Sequence, residues 1–142
     1  MQLTPHFSFE ELTTTTNNDY LKRNREAAML IPDKMYKLAL FAEQVRAFLN
    51  VPMTITSAFR YGDLNEAVGG SATSQHTSAQ AIDFVPKKMT VEQAYELLRK
   101  SPLVYGQLIV EQSGGKQWVH VGMGYKRENL RYINGKYTKQ GD

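Results

Sequence analysis

Between Pro32 and Leu49 the apolar residues Met35, Leu38, Phe41, Ala42, Val45, Phe48 and Leu49 recur three and four positions apart. That spacing gathers side chains onto one helical face, and Pro32 suits a first-turn position, where its missing N–H is no loss. The pattern predicts the main helix of the fold here. Two further helices are announced by their caps. Ser8 is followed three residues on by Glu11, and Thr90 by Gln93, each pair able to satisfy two otherwise orphaned backbone N–H groups. They predict a short helix from near Phe9 and another running to about Lys100. The period changes at MTITSAF, 53–59, which alternates and is rich in β-branched residues, as a strand does. AIDFV at 81–85 predicts a second strand, and GQLIVEQ at 106–112 and QWVHVGM at 117–123 predict two more. SGGK joins the last two, and its glycines accept the positive φ of a tight hairpin turn. RYGDLNEAVGGSATSQH is loop-like, with one helical turn near Leu64 to Val68 closed by Gly69 and Gly70. TTTTNN at 13–18 is a connecting loop. The order helix, helix, strand, loop, strand, helix, hairpin predicts an α+β domain with a mainly antiparallel sheet flanked by helices.

Composition narrows the class. A chain of 142 residues, 42% apolar and 22% charged, has the make-up of one soluble globular domain. With no cysteine there is no disulfide framework, thiolate metal site or cysteine nucleophile, so any metal must be held by histidines and carboxylates. The segment MQLTPHFSFEEL lacks a basic region followed by an apolar run, and no eighteen apolar residues are consecutive. Neither a signal peptide nor membrane insertion is expected. The net charge of +3 resides in residues 125–142, through Lys126, Arg127, Arg131, Lys136 and Lys139 against Glu128 and Asp142. This basic segment reads as a solvated end or as an aid to meeting an anionic polymer. Nucleic-acid binding is disfavoured, because the basic residues are few and the neutral body offers no stripe.

The histidines are His6, His76 and His120. His120, in WVHV, shares a strand face with Trp118. A two-residue turn at Gly114 and Gly115 sets Glu111 opposite Trp118 and Ile109 opposite His120, making Glu111 and His120 diagonal neighbours. If the hairpin packs beside the 81–85 strand, Asp83, His76, His120 and Glu111 converge as two nitrogen ligands, one oxygen ligand and a spare carboxylate. Three protein ligands with an open fourth position is the pattern of a catalytic zinc site. Taken alone, a strand histidine is more often a core or hydrogen-bonded residue than a ligand, and a strand aspartate is often an edge or loop-facing one. Trp118 and Tyr105 are candidates for a substrate groove, but an aromatic beside a hairpin is more often core, and His6 has no assigned role.

A longer pattern is more specific. SAFRYGDLNEAVGGSATSQHTSAQAIDF resembles the core of the M15 family of zinc peptidases, in particular its small phage and bacterial branch, with a strand ending in S-x-[FY]-R, then LN-x-AVGG-S-x-TSQH, then A-x-D. The family's S-x-H-x-x-G-x-A-x-D motif falls on Ser74, His76, Ala79, Ala81 and Asp83. HFSFEEL resembles that branch's first helix start, and GQLIVE with WVHVG its closing hairpin. The resemblance covers about residues 6–124. It implies a hedgehog/DD-peptidase-like zinc peptidase fold over 1–124, with the basic segment 125–142 part of that domain or appended to it.

The resemblance implies that His76, Asp83 and His120 bind zinc. It implies further that Arg60 polarises the scissile carbonyl and steadies the oxyanion, a role typically worth about 3 to 4 kcal/mol, and that Ser74 lies close to the substrate. Two positions depart from the pattern. The motif glycine is Ala79, so a requirement for positive φ there makes the loop adjust at a cost on the order of 1 kcal/mol. Many M15 enzymes carry the catalytic acid three residues before the last zinc histidine, and that position is Gln117 here. In the small branch an acidic residue at the end of the preceding strand recurs, and it falls on Glu111, the expected base. The implied protein is a monomeric zinc-dependent peptidase acting on a stem or cross-bridge peptide of bacterial peptidoglycan. As a phage endolysin or virion-associated wall hydrolase it would be made in the host cytoplasm and act in the wall or periplasm after release. The alternative is a catalytically inactive, zinc-stabilised wall-binding or phage structural module.

Overall fold

The computed structural model describes residues 1–140; Asp142, counted in the charge of the C-terminal segment, lies outside the described residues. Five helices form: α1 Phe9–Leu12, α2 Asn18–Met29, α3 Pro32–Leu49, α4 Gly62–Ala67 and α5 Val91–Arg99. The eight strands are β1 Gln2–Thr4, β2 Phe7–Ser8, β3 Met53–Ser57, β4 Ala81–Pro86, β5 Gln107–Ser113, β6 Lys116–Gly122, β7 Glu128–Ile133 and β8 Lys136–Lys139. β1 and β2 make a small antiparallel pair, and the other six order as β3-β4-β6-β5-β7-β8. The class is α+β as expected, with a mixed sheet, because β5 and β7 run parallel while β5–β6 and β7–β8 are antiparallel. Among the described residues no helix is long and apolar enough to cross a membrane.

Both capping boxes form. Ser8 Oγ accepts from the Glu11 N–H while Glu11 reaches back to the Ser8 N–H, and Thr90 and Gln93 do the same for α5. α3 buries Met35, Leu38, Ala39, Phe41, Ala42, Val45 and Leu49, whereas Phe48 at the edge of the stripe is exposed.

The chain's internal contacts group into two units, residues 1–43 with 55–82 and residues 44–54 with 83–142, whose boundaries fall inside α3, β3 and β4. In the first unit Phe7, Leu12, Ala28, Met35, Leu38 and Leu64 are fully buried. In the second, α5 packs on β5 and β6. Strand alternation gives that face Leu108, Val110, Val119 and Val121, all buried with Val91, Ala94, Tyr95 and Leu98 of the helix. Burial of each valine or leucine side chain there contributes about 2 kcal/mol. The opposite face of the same strands carries Ile109, Glu111, Trp118 and His120.

Within the C-terminal segment, Glu128–Ile133 and Lys136–Lys139 form a hairpin whose outer strand, β8, is exposed along its length. Asn134 and Gly135 turn it with φ of 46° and 88°, the positive pair a two-residue turn needs. β7 then lies on β5. Arg131 grips Glu92 of α5 through two bonds of 2.8 and 2.7 Å, and its guanidinium stands over the Tyr95 ring at 5.3 Å. Arg127 donates to the carbonyls of Leu103, Arg99 and Ser101. Two of the five cations in the segment are thus engaged in holding the hairpin on its unit.

This clamp predicts a pH dependence. The Arg131 guanidinium holds the Glu92 carboxyl below its ordinary value of 4.5, with burial opposing. A depressed folded pKa contributes stability above the unfolded value and loses it as pH falls through the folded one. The pair is substantially exposed, so its worth is about 0.5 to 1 kcal/mol. Glu92→Gln is expected to be less stable than the parent at pH 7, with the difference vanishing as both are acidified below the folded pKa. Urea unfolding across that range checks it, and a constant difference would assign the loss to packing.

Candidate metal and catalytic site

The first unit supplies Arg60, Ser74 and His76. Arg60 follows β3 in a segment tied at each residue. The Phe59 N–H donates to the Leu12 carbonyl at 3.0 Å and the Arg60 N–H to the His76 carbonyl at 3.1 Å. Asn24 of α2, fully buried, donates through Nδ2 to the carbonyls of Thr13 and Phe59 at 2.9 and 3.0 Å and accepts the Tyr61 N–H on Oδ1 at 2.9 Å. Sequence reasoning missed both α2 and Asn24. Of α2's residues only Asn24 and Ala28 are buried, so there is no apolar stripe to read. Asn24→Ala would strand buried backbone groups on both sides of Arg60. A loss of about 2 to 3 kcal/mol is expected, measurable by denaturant unfolding.

The stretch after α4 explains its own composition. Leu64 is core, while Asn65 Nδ2 donates to the Ser71 carbonyl at 2.8 Å. A Cβ on Gly70 would fall 2.1 Å from Asn65 Oδ1, so the second glycine of AVGG makes room for that side chain. Ser74 then caps a 3₁₀ turn, Gln75–Ser78, with Oγ accepting the His76 N–H at 3.2 Å. Arg60 Nη2 donates to the same oxygen at 3.4 Å. Ala79 ends the turn in the left-handed conformation, φ 57° and ψ 42°. The loop therefore does not adjust around the missing glycine. Alanine accepts the strained conformation, and its buried methyl offsets part of the cost.

His76 is buried with Nδ1 2.6 Å from the Ala58 carbonyl. A carbonyl only accepts, so Nδ1 carries the proton and Nε2 bears the lone pair suited to a metal. In the second unit, His120 and Asp83 are also buried, with His120 Nδ1 2.9 Å from Asp83 Oδ1 and 4.0 Å from Glu111 Oε1. The observed register pairs Glu111 with Trp118 and Ile109 with His120, as a Gly114–Gly115 turn requires. Gln117, of opposite parity, instead donates to Glu92 Oε1 on α5 at 3.3 Å. Strand alternation thus turns Gln117 away from His120 and places Glu111 on the histidine's side.

The ligand-capable atoms of His76, Asp83 and His120 all lie within 4.8 Å of one another. Buried carboxylates and imidazoles are expensive unless paired or bound to a metal. Two imidazoles and a carboxylate without thiolate form a donor set that suits zinc and leaves one coordination position for a reactant. Across the sheet from Trp118 and Glu111 stand Tyr132 and Tyr137, paired in register with ring centres 4.5 Å apart. Burial first, and then the charge of Glu111, push the Tyr137 phenol above its ordinary 10.0. Tyr105 is core, bonded through its hydroxyl to Asn129 at 2.5 Å. His6 contacts Glu43 at 2.8 Å.

Residues 5–122 match a family model described as Peptidase M15. Comparison with curated proteins finds no match.

Proposed function

Since the chain belongs to the peptidase M15 family, we propose that it is a zinc peptidase holding its metal with His76, Asp83 and His120 and cutting a stem or cross-bridge peptide of bacterial peptidoglycan. The observation that carries this reading is the meeting of those three buried donors. Bound zinc would supply a Lewis acid that lowers the pKa of water to about 7.

The chain's own groups do the rest. Glu111, on the face of His120, takes a proton from the attacking water and returns it to the leaving amine. Arg60 faces the negative charge that develops on the scissile carbonyl. Its backbone hydrogen bond to His76 and the three bonds of Asn24 keep the loop in place for that task. Ser74, hydrogen-bonded to Arg60, borders the substrate. The protein acts as a monomer in the wall or periplasm, as a phage endolysin or a virion-carried hydrolase.

A zinc-stabilised wall-binding or phage structural module is the competing reading. Gln117 is the residue in its favour, yet Gln117 serves the α5 face. Digestion of purified peptidoglycan by the zinc-loaded protein decides between them. Soluble fragments with new amine and carboxylate termini, absent with His76→Ala, support the peptidase and identify the bond. An intact polymer that retains the protein supports the module.

A further inference from the structure

We infer that Trp118 is a positioning residue for Glu111, its indole N–H donating to Glu111 Oε1 at 2.8 Å and holding the carboxylate on the face that carries His120. This rests on Glu111 being the proton acceptor proposed above.

The contact follows from register. Glu111 and Trp118 are Cα partners across β5–β6, and Tyr132 is the partner of Glu111 on its other side. Tyr137 continues the row on β8. The glutamate therefore stands between an indole and a phenol on one sheet face, and the two tyrosines lie outside the residues matched by the family. Glutamate is rich in rotamers, and fixing it costs up to about 2 kcal/mol. Tryptophan has few, and a strand backbone already sets its direction, so one hydrogen bond from it restrains the carboxylate cheaply. The donor is neutral. An ammonium or guanidinium in its place would form an ion pair and weaken the carboxylate as a base, whereas the indole orients it without adding a full charge.

Trp118 is the single tryptophan of the chain, so its emission reports this contact without need of turnover. In metal-free protein, Glu111→Gln is expected to change the emission, and Glu92→Gln on the opposite face to leave it as it was. In zinc-loaded protein, Trp118→Phe keeps a ring and removes the donor. Its kcat on a released wall peptide is expected to fall about 10- to 100-fold, with KM and zinc content within about twofold of the parent. In a Glu111→Gln background the same substitution should cost nothing further, since a positioning residue acts only through the group that it positions. Unchanged emission in Glu111→Gln overturns the inference, as does an equal loss of kcat in both backgrounds, which would mark Trp118 as packing. If the parent cuts no peptide, the reading of the protein as a peptidase fails. The emission comparison still decides whether Trp118 holds Glu111.

Discussion

Glu111→Gln is expected to lower kcat about 10²- to 10⁴-fold, the usual contribution of a positioned acid or base, while zinc content stays at the parent level. The amide has the shape of the carboxylate but cannot accept a proton. The side chain keeps its size and strand position, so the hairpin should remain intact. Glu111 lies 4.0 Å from His120 Nδ1, close enough to serve the same reactant and outside the three-residue donor group. Steady-state kinetics on a defined wall peptide, with metal analysis of the same samples, checks both halves. Turnover equal to the parent's would remove Glu111 from the chemistry.

His120→Ala should have the other large effect, losing both metal and turnover. The substitution deletes one of three donors and leaves the Asp83 carboxylate buried without the imidazole now 2.9 Å away. A metal that binds only the folded chain stabilises it by mass action, by about 4 kcal/mol at a thousand times its dissociation constant. Zinc is therefore expected to raise the Tm of the parent clearly and that of His120→Ala little or not at all. Chelation should lower the parent to its metal-free Tm. Full zinc occupancy in His120→Ala, measured by metal analysis, would contradict the assignment.

Much of the fold was legible because its signals are short in range. The capping boxes of α1 and α5 use residues three apart, and the β5–β6 turn sets a register that propagates along both strands. The same rule was available at Asn134 and Gly135, an Asn-Gly pair between alternating residues, and went unread because the lysines and arginines around it suggested a solvated end. α2 was illegible for a different reason, since its buried face is one asparagine and one alanine. Nothing in a single sequence announces that Asn24 will meet three backbone groups, two of them flanking Arg60.

The chain by itself determined which side chains could do chemistry, which of them share a strand face, and that Glu111 rather than Gln117 lies on the side of His120. Alternation and turn geometry are properties of neighbouring residues, so they survive without knowledge of the fold. Only the tertiary structure decided that β4 lies beside β6 and that His120 meets Asp83, 37 residues earlier. It also decided that the C-terminal strands carry Tyr132 to the flank of Glu111. Strand order depends on which apolar faces bury together, and that free energy is summed over the whole chain.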